Sequence, residues 1–293
     1  MSKPKGRLPR GFGHVETWVF DLDNTLYPHH LNLWQQVDER IRAYVTDFLK
    51  VSVDEAFRVQ KDYYKRYGTT MRGLMTEYGM RPDDYLEFVH QIDHSPLEAN
   101  PALGVALERL PGRKLILTNG TRKHAVAVMQ RLQIHRHFED VFDIAAADLD
   151  PKPLPQVYQR FLARHGVDPA KATMFEDLAR NLETPHALGM TTVLVVPQGQ
   201  REVFREAWEM EGRDAPYVDH SQTISRASLS RSCDVDYAPG ITCCISTATP
   251  IPAIPAPTRR SDERSAPFRL MRFRATATAA SAMAHWTTAS PSR

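Results

Sequence analysis

WVFDLDNTLYP, residues 18–28, runs as an apolar strand straight into Asp21, Leu22, Asp23, Asn24 and Thr25. Residues i and i+2 of an extended segment project to one side, so Asp21 and Asp23 face one small volume. Two crowded carboxylates repel unless a cation lies between them or one is protonated, and both outcomes are chemically useful. One can attack phosphorus as a nucleophile while the other protonates a leaving alkoxide and later activates water. The competing reading is an ordinary strand-end turn rich in Asp and Asn.

Working outward, residues 15–196 alternate short apolar runs with amphipathic stretches, the pattern of strands joined by helices in a parallel sheet. The predicted strands are VETWVF (15–20), KLILT (114–118), VFDIAA (141–146), ATMFE (172–176) and TTVLVV (191–196). Single helices are predicted between the last four, over 123–133, 154–165 and 179–188. About 90 residues separate the first strand from the second, and they read as helices. Leu33, Val37, Ile41, Tyr44, Val45 and Phe48 recur at helical spacing, and a second helix is predicted over 53–67, with Asp54 and Glu55 in its first turn and Gly68 as its C-cap. Helices near 70–78, 82–92 and 101–110 follow. The expected fold class is therefore α/β, with a helical cap inserted after the first strand: core 15–27 and 100–220, cap 28–99.

Ligands of open α/β sheets bind beyond the carboxyl ends of the strands, so polar residues there converge even when distant in sequence. The second strand ends in Thr118, Asn119 and Gly120, a hydroxyl, an amide and a permissive backbone suited to phosphoryl oxygens, although Asn-Gly is also a common turn. Lys152 lies between Pro151 and Pro153 shortly after the third strand. An ammonium fixed there would offset phosphoryl charge and restrain the nucleophile. The fourth strand ends in Glu176 and Asp177, with Asn181 four residues beyond. With Asp21 these make an oxygen-rich site suited to magnesium rather than zinc, and a helix N-cap role for Asp177 is compatible with that.

Composition excludes several other classes. No stretch of about 18 apolar residues occurs, and the basic, Pro/Gly-rich residues 1–13 lack the apolar core of a secretory signal, which makes the cytoplasm the expected compartment. Cys233, Cys243 and Cys244 match neither a zinc site nor a disulfide framework. Of the +2 net charge, residues 221–293 carry +5, from nine Arg, no Lys and four acidic residues, leaving −3 for residues 1–220. A nucleic-acid polymer is not an expected partner. Beyond residue 220 the chain is rich in Ser, Thr, Ala, Pro and Arg without sustained period, so 221–293 is expected to be disordered or translated out of frame.

In order, DLDNT (21–25), LTNG (117–120), DPKP (150–153) and FEDLARN (175–181) resemble the four motifs of the haloacid dehalogenase superfamily of phosphatases. The resemblance implies a Rossmann-like core with Asp21 as nucleophile and Asp23 as general acid/base. It implies magnesium held by Asp21, the backbone carbonyl of Asp23, and Asp177, with Glu176 supporting the metal site and Thr118 and Lys152 binding phosphate. True dehalogenases lack the second aspartate, so Asp23 points to phosphoester hydrolysis. DLDNTLYP together with YYKRYGTTMRGL (63–74) resembles the pyrimidine 5′-nucleotidase branch, which implies a nucleotide such as UMP or CMP as the small-molecule partner. Sugar phosphates or phosphoglycolate are the alternative substrates, and a non-catalytic phosphate-binding protein is the alternative of another class. Tyr67, Arg72 and Tyr78 are the cap candidates for meeting a base or ribose. The superfamily's final core helix, expected after about Pro216, has no counterpart in this sequence.

Overall fold

A computed structural model describes residues 10–196 and 212–223. Six parallel strands form one sheet: β1 (Thr17–Phe20), β2 (Arg113–Leu117), β3 (Asp140–Phe142), β4 (Ala172–Glu176), β5 (Thr191–Val196) and β6 (His220–Thr223). Their order is β3-β2-β1-β4-β5-β6. The chain leaves β1 in one direction across the sheet and later returns to fill the other side, so β1 and its neighbours β2 and β4 flank the switch point at which such sheets bind ligands.

All four β1 residues are buried, and their period of two feeds two separate cores. Trp18 and Phe20 join Ile116, Val141, Val128 and Met129 on one face, whereas Val19 joins Leu115, Leu117, Phe142, Phe161 and Met174 on the other. The Phe20 and Phe175 rings stack at 4.6 Å and 12°. On β1, Asp21 N donates to the Phe175 carbonyl at 2.9 Å, which extends the β1–β4 ladder by one residue and fixes where the Asp21 side chain emerges.

Between β1 and β2 lie α1 (Leu33–Leu49), α2 (Val53–Tyr67), α3 (Thr70–Tyr78), α4 (Pro82–Val89) and α5 (Pro101–Arg109). Ser52 caps α2 by accepting from Glu55 N, Asp54 and Glu55 occupy its first turn, and Gly68 ends it at φ 84°, as the sequence predicts. The first four helices pack around Val45, Ala56, Tyr63, Leu74, Tyr85 and Val89. Ile144, with Leu149 against it, reaches into this cluster from the loop after β3, so the core plugs the underside of the cap. The remaining helices, α6 (Arg122–Arg131), α7 (Pro155–His165) and α8 (Glu183–Leu188), connect the later strands. None of the described helices is long and apolar enough to cross a membrane.

Three sequence expectations are corrected. The third strand stops at Phe142 rather than continuing to 146, because the Asp143 carboxylate accepts from Arg122 N at 2.8 Å and Ala146 N at 3.0 Å and closes the chain into a turn. The helix over 179–188 begins as a tight 3-10 turn, Ala179–Leu182, before α8. Finally, β6 crosses the expected boundary at residue 220: HSQT pairs with Val193–Val196 although it contains no apolar side chain. A polar strand is tolerated there because it lies at the end of the sheet. The expected behaviour of the tail beyond residue 223 lies outside the described residues.

Candidate active site

Every residue singled out at a strand end converges on one cavity of about 120 Å³, lined from the core by Asp21, Asp23, Thr118, Asn119, Lys152, Glu176, Asp177 and Asn181. In its wall the Lys152 ammonium is buried, 1% exposed. It donates to Asp21 Oδ1 at 2.7 Å, Glu176 Oε1 at 2.8 Å and the Leu117 carbonyl at 2.9 Å, so all three of its protons are engaged. The lysine thus restrains the expected nucleophile and ties it to the end of β4.

Asn119 serves the same bracket. Its Oδ1 accepts from Lys152 N at 2.8 Å and its Nδ2 donates to Lys152 O at 3.4 Å, clamping the loop that carries the lysine. Thr118 Oγ1 accepts from Gly120 N at 3.0 Å, which leaves the hydroxyl proton to donate elsewhere. Glu176 is satisfied on both oxygens: Asn181 Nδ2 joins Lys152 on Oε1 at 2.6 Å, and Leu178 N donates to Oε2 at 2.9 Å. Asn181 is itself held by Tyr158, whose buried hydroxyl donates to its carbonyl at 2.8 Å.

The two aspartates of the first motif differ sharply in environment. Burial raises Asp21 to about 7; the Lys152 charge opposes this, and the Glu176 and Asp23 charges add to it. Thr25, inside the opening motif, donates to Asp21 Oδ2 at 2.9 Å. Burial also works to raise Asp23, but His124 outweighs it by charge and hydrogen bond, with Tyr27 assisting, and Asp23 sits at about 2. The contacts are to one oxygen: Tyr27 OH donates to Asp23 Oδ1 at 2.6 Å and His124 Nε2 lies 2.8 Å from the same atom. Burial lowers the neighbouring His90 to about 4, so its ring is neutral at ordinary pH.

Ligand oxygens of Asp21, Glu176 and Asp177 all lie within 4.8 Å of one another. Three carboxylates without a sulfur or nitrogen among them are a hard donor set, and they fit magnesium. His29 Nε2 stands 3.5 Å from Asp177 Oδ2.

The cap closes the cavity with Trp34, Val37, Asp38, Ile41, Gln60, Lys61, Tyr64, Thr70, Met71 and Tyr85. Tyr67, Arg72 and Tyr78 are not among the lining residues. Tyr67 bonds Glu77, Arg72 pairs with Asp150 and Tyr78 is 55% exposed, because the turn of α2 and α3 points these side chains away. The cap's polar group is instead Asp38, which accepts from Gln60 Nε2 and Lys61 Nζ at 2.8 Å each and from Arg42 Nη2 at 3.1 Å. Neither this group nor His124 was legible beforehand. For His124 the available signal was a polar residue in the first turn of a helix that starts directly over the sheet's carboxyl edge.

Residues 15–189 match the family described as haloacid dehalogenase-like hydrolase. The chain belongs to that family. It is 26% identical over 210 residues to phosphate metabolism protein 8 of Saccharomyces cerevisiae, an alignment that covers 64% of each chain. It is also 26% identical over 198 residues to a glyceraldehyde 3-phosphate phosphatase of Methanopyrus kandleri, covering 62% of this chain and 84% of that one. Among solved structures, a haloacid dehalogenase phosphatase from Thermococcus onnurineus aligns at 17% identity and TM-score 0.47, over 75% of this chain and 97% of the other.

Proposed function

We propose that this hydrolase is a magnesium-dependent phosphomonoesterase that works through an aspartyl-phosphate on Asp21, with pyrimidine nucleoside 5′-monophosphates as substrates. The observation that carries the reading is the Lys152 ammonium held between Asp21 and Glu176, with Asp23 beside them in an opposite electrostatic setting.

An Asp21 oxygen forms the bond to phosphorus while the ester P–O bond breaks, and the electron pair of that bond stays on the leaving oxygen. Asp23 supplies the proton that neutralises this oxygen, and the negative charge of an incoming phosphate ester favours its protonated form. Water then attacks phosphorus, Asp23 takes the water's proton, and the Asp21–phosphorus bond breaks to release inorganic phosphate. Lys152 keeps Asp21 in place through both displacements. The Thr118 hydroxyl and the second amide proton of Asn119 are the donors available to phosphoryl oxygens. Asp21, Asp177 and the backbone carbonyl of Asp23 would hold magnesium, with Glu176 and Asn181 in support; bound there, the ion supplies positive charge to offset that of the phosphoryl group.

The cap supports a ring-bearing leaving group. Trp34, Tyr64 and Tyr85 offer aromatic faces beside the amide and charges of Gln60, Lys61 and Asp38. The name of the Methanopyrus relative favours a second reading, a small sugar phosphate.

Phosphate release from UMP, CMP, AMP, ribose 5-phosphate, glyceraldehyde 3-phosphate and p-nitrophenyl phosphate, with and without magnesium, tests both. UMP and CMP are expected to lead the panel, and Asp21→Asn is expected to lose at least about 10³-fold in kcat. Magnesium-independent turnover or an active Asp21→Asn would refute the mechanism. Preference for the sugar phosphates would refute only the nucleotide.

A further inference from the structure

His124 lies in the first turn of α6 and is 2% exposed, and its two ring nitrogens make two different contacts. Nε2 meets Asp23 Oδ1 at 2.8 Å, and Nδ1 meets Nε2 of His94 at 3.1 Å. A carboxylate oxygen only accepts, so His124 Nε2 carries a proton and donates it to Asp23, while His94 holds the other side of the ring. His94 belongs to the segment that leads from α4 of the cap back to α5, and it is partly exposed. The chain His94, His124, Asp23 therefore runs from the cap's exit segment to the carboxyl group expected to handle the proton. Tyr27 donates to the same Oδ1 at 2.6 Å. Two donors on one oxygen fix the carboxyl's rotation and reserve Oδ2 for the proton that goes to the leaving group.

We propose that His124, its ring held by His94, is the positioning residue that orients Asp23 for proton transfer to the leaving oxygen. This rests on the phosphatase reading above. The step balances as written there: the proton on Asp23 Oδ2 passes to the ester oxygen as the P–O bond breaks and its electron pair stays on that oxygen. A p-nitrophenolate leaves without needing the proton, whereas an alkoxide needs it, so damage to Asp23 orientation falls selectively on alkyl esters.

The experiment measures kcat and KM with magnesium for p-nitrophenyl phosphate and for the better turned over of UMP and ribose 5-phosphate. The wild type is compared with His124→Ala, His124→Gln, His94→Ala and Tyr27→Phe. In His124→Ala the alkyl-to-aryl ratio of kcat is expected to fall about tenfold or more, with KM changing less than kcat. His124→Gln keeps an N–H donor and is expected to recover most of the ratio. His94→Ala and Tyr27→Phe are expected to lower it by smaller factors, and they carry the test if His124→Ala does not fold. A ratio that stays at the wild-type value in folded variants, however far both rates fall, would overturn the proposal and leave the phosphatase intact. Wild-type protein that cleaves neither ester would overturn both.

Discussion

The core and the cap bury charge in inverse arrangements. In the core one cation, Lys152, sits between two anions, Asp21 and Glu176, with Asp23 and Asp177 close by. In the cap one anion, Asp38, is surrounded by Lys61, Arg42 and the amide of Gln60. The core side of the cavity is left with an excess of negative charge that suits a metal ion, whereas on the cap side Asp38 and Lys61 offset one another.

The halves also differ in how rigidly their charges are specified, and substitution measures that. Lys152→Met strands two buried carboxylates and is expected to cost about 3–5 kcal/mol in denaturant unfolding. Arg42→Met leaves Asp38 two other donors, and its arginine is already 26% exposed, so about 1 kcal/mol or less is expected. Equal costs would break the comparison. Packing within the cap is tested by Gly73→Ala: a Cβ there would stand 2.4 Å from the Tyr63 ring, where α3 lies against α2. A loss of about 1–3 kcal/mol is expected, with lower affinity for nucleotide.

The sign of the core site is tested by pH. Burial puts Asp21 at about 7, above its ordinary range, and a proton must leave before that carboxylate can hold a metal. Apparent magnesium affinity, read by calorimetry, is therefore expected to fall about tenfold per pH unit below 7 and to level off above it. The folded-state shift is upward, so Asp21 also makes the metal-free protein less stable as pH rises from about 4 to 7. Gln60→Met should give the smallest effect, raising KM for UMP more than it lowers kcat.

The same division explains what was legible in the sequence. Asp21, Thr118, Lys152, Glu176 and Asp177 line one cavity, as the sequence predicts, because strand ends of a parallel sheet converge by topology, whatever the side-chain packing. Cap positions depend on helix rotation, which periodicity alone leaves free among several residues. Tyr67 and Tyr78 were chosen for chemistry, yet Trp34, Tyr64 and Tyr85 line the cavity. His124 escaped because its partners, Asp23 and His94, are 101 and 30 residues away. β6 escaped because strand prediction relies on apolar alternation, and an edge strand of polar residues has none.

The central claim is the covalent step at Asp21. Rapid quenching during turnover of UMP with magnesium, followed by borohydride reduction and peptide mass spectrometry, reads it directly, because an aspartyl-phosphate is reduced to homoserine. The account predicts homoserine at position 21 alone, and none in Asp21→Asn. Sustained turnover with an unmodified Asp21, or modification at Asp23 instead, would contradict it.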